Sequence, residues 1–186
     1  MNNTERKANA DLILYKYGLL KKLEELGQVH IIGSYHMDMM AWNDLDIDIE
    51  NQTMTLDKLY ELTSFILDTF HPVWYEAKEE VNDEGKTVWF HGFETTITGE
   101  LWNVDLWFFD KETIDNAEKY CDSIVENTSQ KQKEIIVNIK EQLISRGLYS
   151  FEQYTSMDVY KAVLENNVKN VEEFLMLKDI FKKGKV

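Results

Sequence analysis

Apolar residues recur at steps of three and four near both ends of the chain and at steps of two between them. Leu12, Tyr15, Leu19, Leu23 and Leu26 share one face of a helix and stop at Gly27, which predicts an amphipathic helix over about residues 8–26. Val29-His30-Ile31-Ile32 is a short β-branched run that reads as a buried strand ending at Gly33-Ser34. The clearest alternation follows, where Asp44, Asp46, Asp48 and Glu50 interleave with Leu45, Ile47 and Ile49. In a strand this places the acids on one face and the aliphatics on the other. Leu56, Leu59, Tyr60, Leu62, Phe65, Ile66 and Leu67 predict a second helix that stops before Pro72, the only proline. Pro72 to Val81 reads as a strand, Asn82-Asp83-Glu84-Gly85 as a polar turn, Thr87 to Phe93 as the hairpin partner and Leu101 to Phe109 as a further strand.

From about Lys111 the composition shifts to helix formers. Ile135, Ile136, Ile139, Leu143 and Ile144 form a stripe ending near Gly147, and Val159, Tyr160, Val163 and Leu164 form another. Asn170 with Glu173 three residues later marks the start of a last helix by a capping box, with Val171, Phe174, Leu175 and Phe181 as its apolar side. Lys178, Lys182, Lys183 and Lys185 gather toward its end, where the helix dipole favours cations. The pattern predicts an α+β protein: a small mixed β-sheet backed by helices over residues 1–110, with a helical segment over 111–186 packed on it.

Four acids on one strand face repel one another, so such a strand either opens to water or holds a cation that neutralises them. The preceding Gly33-Ser34 favours the cation, because glycine lets the backbone approach a ligand and a serine hydroxyl can hold phosphate oxygens. Asp105 is the only acid within Leu101-Trp102-Asn103-Val104-Asp105-Leu106-Trp107-Phe108-Phe109. By itself it could face solvent beside Asn103. Together with the earlier acids, metal ligation is the better reading.

A strand, Gly33-Ser34, nine residues and then Asp44-Leu45-Asp46-Ile47 resembles the signature of the nucleotidyltransferase superfamily that includes DNA polymerase β and the antibiotic-modifying nucleotidyltransferases. The resemblance implies the nucleotidyltransferase fold and a Mg²⁺-dependent transfer of a nucleoside monophosphate, AMP from ATP above all, to a hydroxyl of a small molecule, with release of pyrophosphate. It implies Asp44 and Asp46 as paired metal ligands, Asp105 as third ligand or as the base for the acceptor hydroxyl, and Gly33 and Ser34 as the triphosphate turn. His36 follows that turn closely enough to touch the nucleotide. Oxygen-only ligands suit Mg²⁺ or Mn²⁺, with ATP or another nucleoside triphosphate as co-substrate. Asp46 and Asp48, with eleven residues after Ser34, also satisfy the spacing, so the register of the pair stays open by two residues. In the first register Asp48 and Glu50 are solvated or structural. The helical segment resembles that of the lincosamide and aminoglycoside enzymes, where it helps to form the acceptor pocket, and an antibiotic acceptor follows from that resemblance alone. Two other readings are a catalytically weak module that binds nucleotide or a partner, and an antitoxin-like enzyme that adenylylates a protein.

Charge narrows the acceptor. With 20 basic and 34 acidic residues the formal net charge is −14, which disfavours a broad phosphate-backbone footprint and suits a small acceptor, a cationic one included. No nucleic-acid partner is expected. At 186 residues with 44% hydrophobic residues the chain can bury a sizeable core. The lone Cys121 excludes an internal disulfide and a cysteine zinc cluster and reads as a small buried hydrophobe. A polar N-terminus and the lack of any run near about 18 apolar residues predict a soluble, cytoplasmic protein without a membrane partner. Exposed aromatics leave room for a homodimer. Lys133 and Lys140, on one helical face, are candidates for phosphate contacts, and Trp42, Trp74, Trp89, Trp102 and Trp107 include candidate stacking platforms. His30, His71 and His91 show no metal-ligand spacing and read as structural.

Overall fold

The computed structural model describes residues 1–82 and 84–183, with 179–183 as backbone alone. Asp83, Lys185 and the side chains of Phe181, Lys182 and Lys183 lie outside the described residues. The chain forms two compact units, Met1–Asp122 and Ser123–Val186.

The first unit opens with α1 (Asn3–Asp11), held by a capping box in which Asn2 accepts from the Glu5 backbone N–H and Glu5 reaches back to that of Asn2. A π-helical turn, Leu12–Lys16, follows, and α2 (Leu19–Glu24) starts after Gly18, whose φ of 77° no longer continues a helix. The single helix expected over 8–26 is thus three pieces and begins earlier. The wide turn also rotates the buried stripe: Ile13 and Leu14 are fully buried, whereas Tyr15 is exposed.

Among the described residues five strands form one mixed sheet, in the spatial order β1 (Val29–Ile31), β2 (Asp44–Glu50), β5 (Glu100–Phe109), β4 (Thr87–Ile97), β3 (Trp74–Val81). β1 (Val29–Ile31) runs antiparallel to β2 (Asp44–Glu50), and between them lies the short α3 (Gly33–His36). After β2 comes α4 (Leu56–Phe70), capped by Thr55 and ended by His71 in a left-handed conformation just before Pro72. β3 (Trp74–Val81), β4 (Thr87–Ile97) and β5 (Glu100–Phe109) are the antiparallel meander that the alternation predicts, with β4 running four residues past Phe93 to a tight turn at Thr98 and Gly99, both at positive φ. β5 then lies parallel to β2. The result is the mixed sheet backed by helices that the sequence pattern implies.

One face of this sheet is the core. Leu45, Ile47 and Ile49 of β2 and Trp102, Val104, Leu106 and Phe108 of β5 are fully buried against Ile13, Leu14, Leu19, Leu23, Leu62 and Ile66. Each such side chain contributes about 1.5–3 kcal/mol, so the aliphatic half of the β2 alternation sets which way its acids point. The last element to begin in this unit is α5 (Lys111–Glu126).

In the second unit α6 (Gln130–Ser145) and α7 (Ser156–Asn166) each begin with a capping box, Ser129 with Gln132 and Thr155 with Asp158. α8 (Val171–Lys183) starts where Asn170 accepts from the Glu173 N–H at 2.9 Å, while the Glu173 side chain accepts from the N–H of Lys169 instead of closing the expected box on Asn170. Ile136, Ile139, Leu143, Val159, Tyr160, Val163 and Phe174 are buried. So is Lys140, 1% exposed with its Nζ 5.6 Å from the Tyr160 ring centre, which is packing rather than the open surface charge expected of a phosphate contact. Among the described residues no helix is long and apolar enough to cross a membrane.

Candidate active site

Parallel pairing of β2 with β5 sets Asp46 beside Asp105 and Asp44 beside Asn103. Cross-strand partners share a face. One carboxylate oxygen from each of Asp44, Asp46 and Asp105 therefore falls within 4.8 Å of the others, and all three residues are half-buried. The Asn103 amide donates to Asp44 Oδ1 at 2.8 Å and holds that carboxylate in place. Burial raises the Asp105 carboxyl above the usual carboxylate range, opposed by a hydrogen bond from Asn103.

The turn before β2 touches this group directly. Gly33 adopts φ 66°, and a Cβ placed there would lie 2.2 Å from Asp46 Oδ2, so both the backbone and the close approach require glycine. The Ile32 N–H donates to the Asp46 carbonyl at 3.1 Å and fixes the turn against the strand. Ser34 is 6% exposed, and its hydroxyl oxygen has no hydrogen-bond partner among the described residues. A buried hydroxyl left unpaired costs about 1–3 kcal/mol. His36, the other residue assigned to the nucleotide, places Nε2 2.9 Å from Asp122 Oδ1 on the exposed side of α3. Cys121 of α5 sits behind the turn as a buried thiol that receives a hydrogen bond from the Gly33 backbone, and burial pushes it up.

The other two acids of β2 do something different. Asp48 pairs in register with His30 of β1 and is 3% exposed. Burial, then the charge of Asp46, pushes its carboxyl up to about 7, while His30 opposes the rise. His30 Nδ1 lies 2.7 Å from Glu118 Oε1 of α5, and its Nε2 lies 3.8 Å from Glu50 Oε1. Asp48 is thus buried and Glu50 half-buried, both packed as structural groups rather than solvated ones, and the acids that converge with Asp105 are Asp44 and Asp46. His30 is structural, as its context suggested. A cavity of about 670 Å³ lies elsewhere, between α2 and α4, lined by Lys21, Lys22, Glu25, Tyr60, Glu61 and Phe65 among others and by none of these acids.

Sequence reasoning missed three neighbours: Asn103 as the donor that orients Asp44, Cys121 behind Gly33, and Gly92 as the cross-strand partner of Asp105. None carries a local signal, because each acts only through strand register or helix packing.

Solved structures are similar to this chain in fold. The Cid1 poly(U) polymerase, with Mg and 3′-dATP bound, matches with a TM-score of 0.59 at 14% identity over 88% of this chain and 50% of its own. A cytoplasmic RNA terminal U-transferase matches with 0.56 at 15% identity over 86% of this chain and 47% of its own. The polymerase core of TRAMP, an RNA surveillance complex, matches with 0.54 at 16% identity over 82% and 46%. The fold is that of the nucleotidyltransferases. The chain spans about half the length of these polymerases. They are polymerases and a terminal transferase rather than the antibiotic-modifying enzymes that the sequence resemblance pointed to. No protein-family profile and no curated protein sequence matches the chain.

Proposed function

We propose that this protein is a divalent-metal-dependent nucleotidyltransferase that moves a nucleoside monophosphate, AMP from ATP, onto a hydroxyl of a small molecule and releases pyrophosphate. The observation that carries this reading is the meeting of the Asp44, Asp46 and Asp105 carboxylates within 4.8 Å, against a turn where a Cβ at Gly33 would strike Asp46. The fold agrees with it. Three carboxylates with an unpaired buried hydroxyl beside them suit Mg²⁺ or Mn²⁺ with a polyphosphate, by their oxygen-only donors. Asp44, Asp46 and Asp105 would hold the ion, whose chemistry is to neutralise phosphate charge as it builds on the leaving pyrophosphate.

The chain's own groups supply position and one proton transfer. Gly33 lets the phosphates approach the backbone, and the Ser34 hydroxyl donates to a phosphate oxygen, which ends its isolation in the free protein. His36 flanks the open side of the turn. Asp105 is the third ligand or the base that accepts the proton of the acceptor hydroxyl. Asn103 keeps Asp44 from swinging away. Phosphoryl chemistry asks for little more from a protein than this positioning and charge.

A net charge of −14 supports a small acceptor over a polyanion. The second reading takes the 3′ hydroxyl of RNA as acceptor, favoured by the likeness to the poly(U) polymerase. Titration calorimetry of a non-hydrolysable ATP analogue, with and without Mg²⁺, tests the shared core of both readings. Binding is expected only with Mg²⁺ and is expected to vanish in Asp44→Asn/Asp46→Asn. Binding that ignores metal, or its absence in the natural chain, overturns nucleotidyl transfer. Extension of a labelled RNA oligonucleotide in preference to any small alcohol selects the second reading.

A further inference from the structure

We propose that α1 positions the nucleotide: Asn3, with Arg6 and Lys7 beside it, locks the segment 37–43 that joins the Gly33-Ser34 turn to Asp44. This rests on the nucleotidyl-transfer reading of the three aspartates and deepens it. Arg6, Lys7 and Asp11 follow Asn3 by three, four and eight residues, so the four share one face of α1. Each of them reaches the segment or the turn. The Asn3 amide donates to the Asp38 carbonyl at 3.2 Å and to Asp38 Oδ1 at 3.0 Å, and its own oxygen accepts from the Met40 N–H at 2.8 Å. Arg6 Nη1 donates to the Met40 carbonyl at 3.2 Å. Lys7 Nζ lies 3.3 Å from Asp38 Oδ1 and 5.2 Å from the Tyr35 ring centre. The Tyr35 hydroxyl in turn donates to Asp11 Oδ1 at 2.6 Å.

The segment needs such a hold. It forms neither strand nor helix, and Asp38 sits at φ 60°, a left-handed conformation that disfavours a side chain. Met37, Met39, Met40 and Ala41 are buried, so their backbone polar groups need partners away from water. For Met40, α1 supplies a partner to both the N–H and the carbonyl. From there hydrogen bonds lead into the site. The N–H groups of Met37, Met39 and Asp38 donate to the carbonyls of Gly33, Ser34 and Tyr35 at 3.1, 2.9 and 3.2 Å. The amide that grips Ser34 is thus the immediate neighbour of the amide that Asn3 grips. Sheet pairing sets Asp44, Asp46 and Asp105 without help from α1. Where the turn stands relative to them depends on the segment between. A turn that must be ordered at the moment of binding holds its ligand more weakly than one already in place.

Calorimetric titration of the Mg²⁺–ATP analogue, on the full chain, tests this. Asn3→Ala should weaken the analogue about tenfold, the scale of one to two net hydrogen bonds. Asp38→Ala should do the same from the other side of the contact. Asp38→Asn keeps an acceptor for Asn3, tolerates the left-handed backbone and loses only a half-exposed ion pair, so it should stay within about twofold of the natural chain. Thr55→Ala removes the hydrogen bond to Lys58 that caps α4 instead, and should lower the unfolding midpoint while the affinity stays unchanged. Equal binding by Asn3→Ala and the natural chain, equal affinities in Asp38→Asn and Asp38→Ala, or a loss in Thr55→Ala that matches that of Asn3→Ala would overturn the role of α1. Failure of the natural chain to bind the analogue with Mg²⁺ would instead overturn the reading of the aspartates on which it rests.

Discussion

The polar face of β2 is one row of four acids, yet its two ends have opposite environments. At the entrance, Asp44 and Asp46 are half-buried and converge with Asp105 beside Gly33. At the far end Asp48 is sealed against β1 and α5, where His30, Glu50 and Glu118 surround it. The first arrangement gathers three carboxylate oxygens within 4.8 Å of one another, a donor set that suits a hard cation. The second packs its acids around His30, which hydrogen-bonds Glu118, at the expense of burying a carboxyl whose proton comes off near neutrality. Identical residue types at equal spacing therefore do different work according to what packs on them.

The largest expected effect would break the entrance. Asp46→Asn or Asp105→Asn should lower nucleotidyl transfer by about a thousandfold or more, the scale of removing a central electrostatic partner of the reacting charge, while circular dichroism and thermal unfolding stay near those of the natural chain. An active Asp46→Asn enzyme would remove the ground for separating the two ends.

Asp48→Asn sharpens the contrast from the other side. The Asp48 carboxyl lies near 7 in the fold against an ordinary value of 3.8, so the folded chain holds a proton that the unfolded chain has released. Folding stability from this group is fully present below the ordinary value and is lost as pH rises through about 7. The substitution should therefore stabilise the protein on the order of 3 kcal/mol at pH 8, with the gain vanishing toward pH 4. Urea unfolding across that range, in the presence of a chelator, reads it directly. A loss of stability at pH 8 would show that the ionised carboxylate is the form the far end is built for.

Gly33→Ala forces a side chain into the left-handed region and against Asp46. It should cost about 2 kcal/mol of stability and weaken the Mg²⁺–ATP analogue, seen by denaturation and by calorimetry. The smallest effect is that of Ser34→Ala. Removing an unpaired buried hydroxyl should leave stability unchanged or slightly higher, while the analogue binds about five- to tenfold more weakly for want of one hydrogen bond. Unchanged affinity would detach Ser34 from the phosphates.

Much of this was legible along the chain, for physical reasons that differ by residue. The alternation from Asp44 to Glu50 shows which residues turn inward, because a strand has a period of two and Leu45, Ile47 and Ile49 gain only by burial. Pro72 shows where α4 must stop, and Asn170 with Glu173 where α8 begins. The break at Gly18 was less legible, since the apolar stripe continues through it and only the left-handed backbone and the π-helical turn shift the buried positions. Nothing along the chain distinguished Asp44 and Asp46 from Asp46 and Asp48, because both pairs satisfy the same spacing.

The sequence by itself determined the strand alternation, the glycine-serine turn, the isolated acid at 105 and the helical character of the second half, since these depend on local backbone geometry and on the period of burial. Only the tertiary structure decided which acids meet. Asp46 faces Asp105 because β5, some sixty residues later, inserts parallel to β2, and Asp48 is closed off because β1 and α5 cover that end of the strand. Register and coverage arise from contacts between distant segments, and a linear pattern carries no information about which segment will arrive.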